Sequence, residues 1–325
     1  MGLLGLLGMS LAACSSSSPG PRPGADPLTP AQALTVVQQT DSKAVAANGA
    51  LNKSLQDTFE TGPAALADDA GYLAYKANRV TGLPPFTTAE TKVYVPHQSA
   101  YPLQFLTSEL ARGKTSSGGD FKSTSLSLFV KPSASEAWKI YYEAYSNTPT
   151  DSLKVTPPPA FALDANGYAQ TVPSGQAGFV VSPDKVSATI ATYINSGSGP
   201  VAGGDFTSTY RSGLTADQAA QSQHCSCHVS SQMSAATYPT YAYQLQDGSA
   251  LVFYAMSLSV DLTGGQFHSD GSGLGVLGPS TSGDYNSLTL TSLEQQVAVL
   301  PKSGQISVMY DYEQQTMVVG GGTTV

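Results

Sequence analysis

Charge is what this chain has least of. Asp, Glu, Lys and Arg together make up 12% of its 325 residues, about half the share in an average soluble domain. The 15 lysines and arginines are scattered and outnumbered by 23 acidic residues, for a formal net charge of −8. A surface that tracks phosphates needs clustered cations, so nucleic acid is excluded as a partner. Four histidines and three cysteines leave little material for acid–base or metal chemistry. The sequence has no Gly-x-Ser-x-Gly elbow, phosphate-cradling glycine loop, His-Glu-x-x-His pair or EF-hand loop, which removes the commonest hydrolase, nucleotide, zinc-protease and calcium readings. The apolar run at residues 1–9 is too short for a spanning helix of about twenty residues.

That short run leads into Leu11-Ala12-Ala13-Cys14 and then four serines. The pattern resembles a bacterial lipobox, in which the chain is cut before a cysteine whose thiol carries a diacylglycerol. Cys14 is therefore the expected lipidation site and residues 1–13 the expected signal peptide, with palmitate the expected acyl chain. The mature protein would be anchored to the cell membrane on its extracytoplasmic face, by lipid rather than by a span. Residues 14–28, with Pro19, Pro21, Pro23 and Pro27 among Ser and Gly, read as an extended tether. An apolar fraction of 41%, with 32 glycines, 21 prolines and 17 tyrosines, suits a β-rich extracytoplasmic protein with packed cores.

The fold is expected to begin at Thr29-Pro30-Ala31-Gln32, where a hydroxyl, a proline at the first helical position and a glutamine three residues after the cap form a capping box. Leu34, Val37, Ala44, Leu51, Leu55 and Phe59 follow at helical intervals, Gly62-Pro63 is read as the stop, and residues 64–76 as a second helix. After Pro84-Pro85 the period falls to two, and residues 93–95, 103–110, 123–130 and 138–145 read as strands. Residues 154–172, with three consecutive prolines, read as an irregular connection. The second half repeats the order. Ser182-Pro183-Asp184 caps a helix carrying Val186, Ile190 and Ile194, and a second capping box at Thr215 starts another. The Asp247-Gly248 turn joins strands at 241–246 and 249–262, a glycine-rich excursion covers 264–283, and 288–300 and 306–312 read as the last strands. The expected fold class is α+β, with two tandem domains, 29–175 and 176–325, each packing N-terminal helices on a curved antiparallel sheet.

Helix-first halves followed by long antiparallel strands resemble the cone-shaped fold of the nuclear transport factor 2-like superfamily. That resemblance implies a sheet wrapped around its helices. The lipobox, the Thr29-Pro30 helix, Glu60-Thr61-Gly62-Pro63-Ala64, the segment from Tyr94-Val95-Pro96 to Tyr101-Pro102 and Trp138 are together similar to a family of uncharacterised actinobacterial lipoproteins. That family supplies no activity and no catalytic residues to carry over.

His224-Cys225-Ser226-Cys227-His228 is the one cluster of metal-ligand residue types. Read as a continuation of the helix from Thr215, it puts His224 and His228 one turn apart with Cys227 beside them, so that three donors could meet one ion, and with Cys225 these are the candidate metal ligands. The alternative is a Cys225–Cys227 disulfide, which requires the helix to break there, because i and i+2 point to opposite sides. His97 and His268 are read as surface or packing residues, and Asp68-Asp69 first as a solvated helical pair and second as carboxylates facing a cone-shaped cavity. Tyr141, Tyr142, Tyr145, Tyr238, Tyr241, Tyr243 and Tyr254 are read first as packing residues at strand edges, and second as the lining of an aromatic face. The expectation is a non-catalytic binding or scaffolding module without a cofactor. Its partner would be an envelope protein, a glycan or a small apolar ligand. The alternatives are a cavity-based hydrolase or isomerase, and a metal or redox lipoprotein using residues 224–228.

Overall fold

A computed structural model describes residues 28–115, 117–146, 152–269 and 283–313. The expected signal peptide, Cys14 and the expected tether as far as residue 27 lie outside the described residues, as does most of the glycine-rich excursion.

Helix α1, Pro30–Ala50, starts as its sequence dictates: the Thr29 hydroxyl accepts from the Gln32 amide, and Gln32 Oε1 accepts from the Thr29 amide at 2.8 Å. It ends earlier than its apolar spacing predicts. Leu51 turns left-handed at φ 45°, and Asn52 Oδ1 accepts from the Leu55 amide to start a separate turn, α2, Lys53–Gln56. Gly62 and Pro63, expected to stop a helix, instead open α3, Gly62–Ala77. A proline in the first turn lacks only an N–H that the helix leaves unpaired.

Four strands follow: β1 Thr87–Tyr94, β2 Leu103–Lys114, β3 Asp120–Lys131 and β4 Lys139–Tyr145. The second half contributes α4, Val186–Ser196, closed by Gly197 at φ 76°, then α5, Tyr210–Cys225. Its strands are β5 His228–Ala235, β6 Tyr241–Gln244, β7 Ala250–Ser269, β8 Gly283–Leu300 and β9 Ser307–Glu313. Two expectations need correction. The helix expected from Thr215 begins five residues earlier, and Thr215 lies inside it, its hydroxyl bonded to the Arg211 carbonyl. It also stops before His228, which opens a strand the periodicity missed.

All strand pairs are antiparallel, and they form one sheet in the order β1-β2-β3-β4-β9-β8-β7-β5, with β6 also on β7. Strands from both halves of the chain therefore share a sheet. The junction is narrow: β4 and β9 meet in register only at Tyr145 and Asp311. Where β4 diverges, side chains replace the ladder. Gln295 of β8 accepts from the Glu143 amide at 3.2 Å and donates to the Pro63 carbonyl at 3.3 Å, tying β4 to the start of α3.

The central core lies between the two halves of the sheet. Leu106, Leu128 and Tyr142 from the first half pack with Phe253, Val297 and Tyr310 from the second. The 154–172 connection threads the same core through Phe161 and Ala169. On its other face the first half carries α1 and α3, through Ala33, Val37 and Ala64 against Phe105, Phe129 and Ile140. The second half carries α4, whose Val186, Ile190 and Ile194 pack on Val252, Tyr254 and Met256. This layering explains the sequence of β7. Leu251, Phe253 and Ala255 enter the central core while Val252, Tyr254 and Met256 meet α4, so both faces are apolar and the run shows no polar alternation.

Candidate functional site

The densest group of perturbed ionisable side chains sits at the corner where α3 lies against β4 and β9. Glu60 is brought there because its backbone pairs in parallel with Ile140 of β4, and the Thr61 amide donates to the Ile140 carbonyl. Asp68 lies two turns along α3, Glu143 and Tyr145 on β4, and Tyr312 on β9. The Tyr312 hydroxyl donates to Asp68 Oδ1 at 2.6 Å. Gln56 Nε2 donates to Glu60 Oε2 at 2.7 Å, and Glu60 and Asp68 share a hydrogen bond between their carboxyls. Glu143 is bonded to Tyr145 and, at 3.3 Å, to the Ser127 hydroxyl. The Tyr145 and Tyr312 rings meet edge to face at 5.4 Å.

Three carboxyls this close cannot all be charged. Burial, then the charges of Asp68 and Glu143, holds Glu60 well above the ordinary carboxylate range. Burial and the Asp68 charge push Glu143 up to about 8, against the pull of its bonds from Tyr145 and Ser127. Burial raises Asp68 to about 6, against bonds from Tyr312 and Glu60 that favour its charged form. Of Glu60 and Asp68, which share a bond, Asp68 is the one whose charged form it favours, while burial favours the acid forms of Glu60 and Glu143. Asp69, next to Asp68, is instead ion-paired with Lys53.

A second acidic contact lies between α1 and β2. Glu109 is 6% exposed and accepts from the Thr91 hydroxyl at 2.8 Å, with its pKa raised to about 7 by burial and by Asp41. Asp41, itself raised by burial, accepts from Thr88 at 2.7 Å. Both helices thus dock on the sheet through carboxyls paired to hydroxyls, α1 through Asp41 on β1 and α3 through Asp68 on β9.

The histidine–cysteine cluster is rearranged relative to its helical reading. Cys225 ends α5, Ser226 turns left-handed at φ 51°, and Cys227 leads into β5. The two sulfurs are joined as a disulfide with Cα atoms 5.1 Å apart. His224 and His228 stand on different elements and are exposed, so the one-turn spacing expected of them is not formed. Among the described residues no group of three or more His, Cys, Asp or Glu side chains is placed to hold a metal. His97 finds a carboxylate that no local reading could supply: Asp164, from the connection, lies 2.9 Å from its Nε2, and the ring stacks on Tyr168. His268 lies near the end of β7, in register with Asp284 of β8.

Of the tyrosines singled out, Tyr142, Tyr243 and Tyr254 are buried, the first with its hydroxyl on the Pro239 carbonyl and the last on Gln296. Tyr141, Tyr238 and Tyr241 are half-buried and sit together against the central core, with Tyr141 and Tyr241 at 5.7 Å between ring centres. A cavity of 360 Å³ opens beside Thr171, Phe179, Gln244 and Lys302, away from the carboxyl cluster. Glu60, Glu143 and Tyr312 were not singled out from sequence as a site, and Tyr145 only as one of the strand tyrosines. The one available signal was Glu143 between Tyr142 and Tyr145 in a strand whose alternate residues enter the core.

The family model described as "Domain of unknown function (DUF8094)" matches residues 25–321. An uncharacterized lipoprotein of Streptomyces coelicolor is 25% identical over 296 residues, covering 86% of this chain and 82% of the relative. An uncharacterized lipoprotein of Streptomyces avermitilis is 28% identical over 214 residues, or 64% of this chain and 59% of the relative. No solved structure matches. Among the described residues no helix is long and apolar enough to cross a membrane.

Proposed function

We propose that this chain, which belongs to the family described as a domain of unknown function (DUF8094), is a lipid-anchored binding module of the cell envelope, held to the membrane through Cys14 and facing outward. Its relatives are named as lipoproteins, and the spacing of Leu11 to Cys14 followed by a serine- and proline-rich tether is the sequence support for the anchor. Each half keeps the helix-then-strand order that suggested a cone-shaped fold.

The observation that carries the binding reading over a cavity enzyme is how the perturbed carboxyls are engaged. Glu60 is held by Gln56 and Asp68, Asp68 by Tyr312, and Glu143 by Tyr145 and Ser127. These bonds brace α3 against β4 and β9, a scaffolding task. The half-buried tyrosines Tyr141, Tyr238 and Tyr241 are the surface this reading offers to an envelope partner, since tyrosine pairs an apolar face with a hydroxyl. The test expresses the full chain and its Cys14→Ala and Tyr238→Ala variants in an actinobacterial host, fractionates the cells and cross-links intact envelopes. Cys14→Ala should move the protein from membrane to soluble fractions. Tyr238→Ala should leave it in the membrane but lose a cross-linked partner that the parent captures. Membrane retention of Cys14→Ala would refute the anchor, and identical cross-links in the Tyr238 variant would refute the tyrosine surface.

A further inference from the structure

The binding reading leaves the most chemically distinctive segment of the chain unused. Cys225-Ser226-Cys227 forms a disulfide between residues only two apart, at the point where α5 gives way to β5. Helical geometry would aim the two side chains to opposite sides. The helix is ended instead by Ser226 at φ 51°, a left-handed conformation uncommon for a side chain other than glycine. The turn therefore meets the requirement that the two sulfurs face each other.

We propose that Cys225–Cys227 is a thiol–disulfide exchange site that acts on the dithiols of partner envelope proteins. Three features carry this. First, the bridge closes one of the smallest loops a disulfide can span, and the stabilisation a cross-link gives by restricting the unfolded chain grows with loop length. A structural staple gains least at this spacing. Second, the disulfide is within reach of solvent: both cysteines are only half-buried and Ser226 between them is exposed. A support lies beneath, where the cysteines rest on the apolar group Val229, Leu262, Leu288 and Leu290. Gly265 of β7 passes so close that a Cβ there would lie 3.0 Å from Cys227 Cβ and 3.1 Å from the Ser226 carbonyl. The turn is thus held from one side and open on the other. Third, exposed imidazoles flank the pair at His224 and His228, supplying groups that exchange protons with thiols. A protonated imidazole at the end of α5 would also offset the negative helix terminus, which otherwise disfavours a thiolate there.

The reaction balances without a cofactor. A thiolate of the partner attacks one sulfur, the Cys225–Cys227 bond breaks as a partner–protein disulfide forms, and the displaced cysteine leaves as a thiolate that takes a proton from a neighbouring imidazolium. The partner's second thiolate then attacks its own sulfur in the mixed disulfide, closing the partner's disulfide and releasing the second cysteine, which is protonated in turn. The partner dithiol loses two electrons and two protons, and Cys225 and Cys227 gain them. Run backward, the same steps reduce a partner disulfide.

The experiment uses the oxidised full chain carrying Cys14→Ala, so that Cys225 and Cys227 are its only cysteines. The probe is a synthetic peptide with two cysteine thiols, and oxidised glutathione is the reference disulfide. Reduction is followed by the mass gained on alkylation, and the fold by circular dichroism. The expected result is reduction at least about tenfold faster than that of oxidised glutathione by the same peptide, with the peptide recovered as its disulfide and the melting curve of the reduced protein unchanged. A His224→Gln, His228→Gln double variant should exchange severalfold more slowly and with an altered pH profile, yet melt like its parent. Exchange no faster than the reference, or unfolding on reduction, would overturn the proposal and assign the bridge a structural role. An unaltered pH profile in the double variant would remove the histidines from it.

Discussion

Replacing Glu109 by glutamine should make the protein more stable at pH 8 and leave it nearly unchanged at pH 4. Glu109 is 6% exposed in β2, bonded by Thr91 of β1, faced by Asp41 of α1 and paired with Ser125 of β3. Burial and the Asp41 charge raise its pKa from 4.5 to about 7. In the unfolded chain the group ionises near its ordinary value, whereas the folded protein keeps the proton until about pH 7. The folded state therefore binds more protons across that window, and stability falls as pH rises through it. Carried to pH 8, the difference costs up to about 3 kcal/mol. Glutamine can accept the Thr91 bond and never ionises, so the Glu109→Gln variant escapes this loss. Urea unfolding of parent and variant at both pH values measures it. The gap between the two should widen by about 3 kcal/mol from pH 4 to pH 8, and comparing gaps cancels the titration of Glu60 and Asp68, leaving only the weaker charge coupling of Glu109 to Glu143. A gap of the same size at both pH values would refute the account of Glu109 as a carboxyl kept protonated by the fold.

Gly62→Ala should destabilise by more than about 1 kcal/mol, because the backbone there has φ 61° and the added Cβ would lie 2.6 Å from the Tyr141 ring; thermal denaturation of parent and variant would detect it, and a neutral result would mean that α3 can start without that turn. Leu128→Ala removes a fully buried side chain from the core between the half-sheets and should cost about 2–5 kcal/mol in urea unfolding. If the halves unfolded separately, that loss would appear in only one of two transitions. A single shifted transition is expected from a core built by both.

Much of the fold was legible because local signals and tertiary packing agreed. The Thr29 cap formed as its residue types require, and the Asp247-Gly248 turn joined β6 to β7. Where the reading failed, a longer-range contact decided. The apolar spacing through Leu51 and Phe59 is compatible with one helix, but Asn52 offers a side chain that caps a new turn, and the chain must bend to lay Glu60 beside Ile140. Periodicity does not register such a bend, since Leu51 and Phe59 are both buried although neither lies within a helix. Likewise residues 224–228 contain no glycine or proline to mark a break. What ends α5 there in the structure is a left-handed serine between bonded cysteines, a constraint that lies in side-chain chemistry rather than in the hydrophobic pattern.

The carboxyl cluster was illegible for a related reason. Glu60, Asp68, Glu143 and Tyr312 are separated by up to 252 residues and come from a loop, a helix and two strands, so no spacing rule connects them. Their meeting depends on β4 and β9 being neighbours, and those strands touch in register only at Tyr145 and Asp311. The sequence of each strand predicts a strand, but nothing in either names the other as its partner. The narrowness of the junction is also what admits the cluster. A fully laddered β4–β9 pair would satisfy the Glu143 amide by backbone, whereas here Gln295 takes that role and reaches on to Pro63. The polar groups at this corner therefore perform the task that strand pairing performs elsewhere: they fix α3, β4, β8 and β9 relative to one another. Burial holds Glu60 and Glu143 toward their protonated forms here, so raising the pH adds charge to the corner that joins the two halves of the chain.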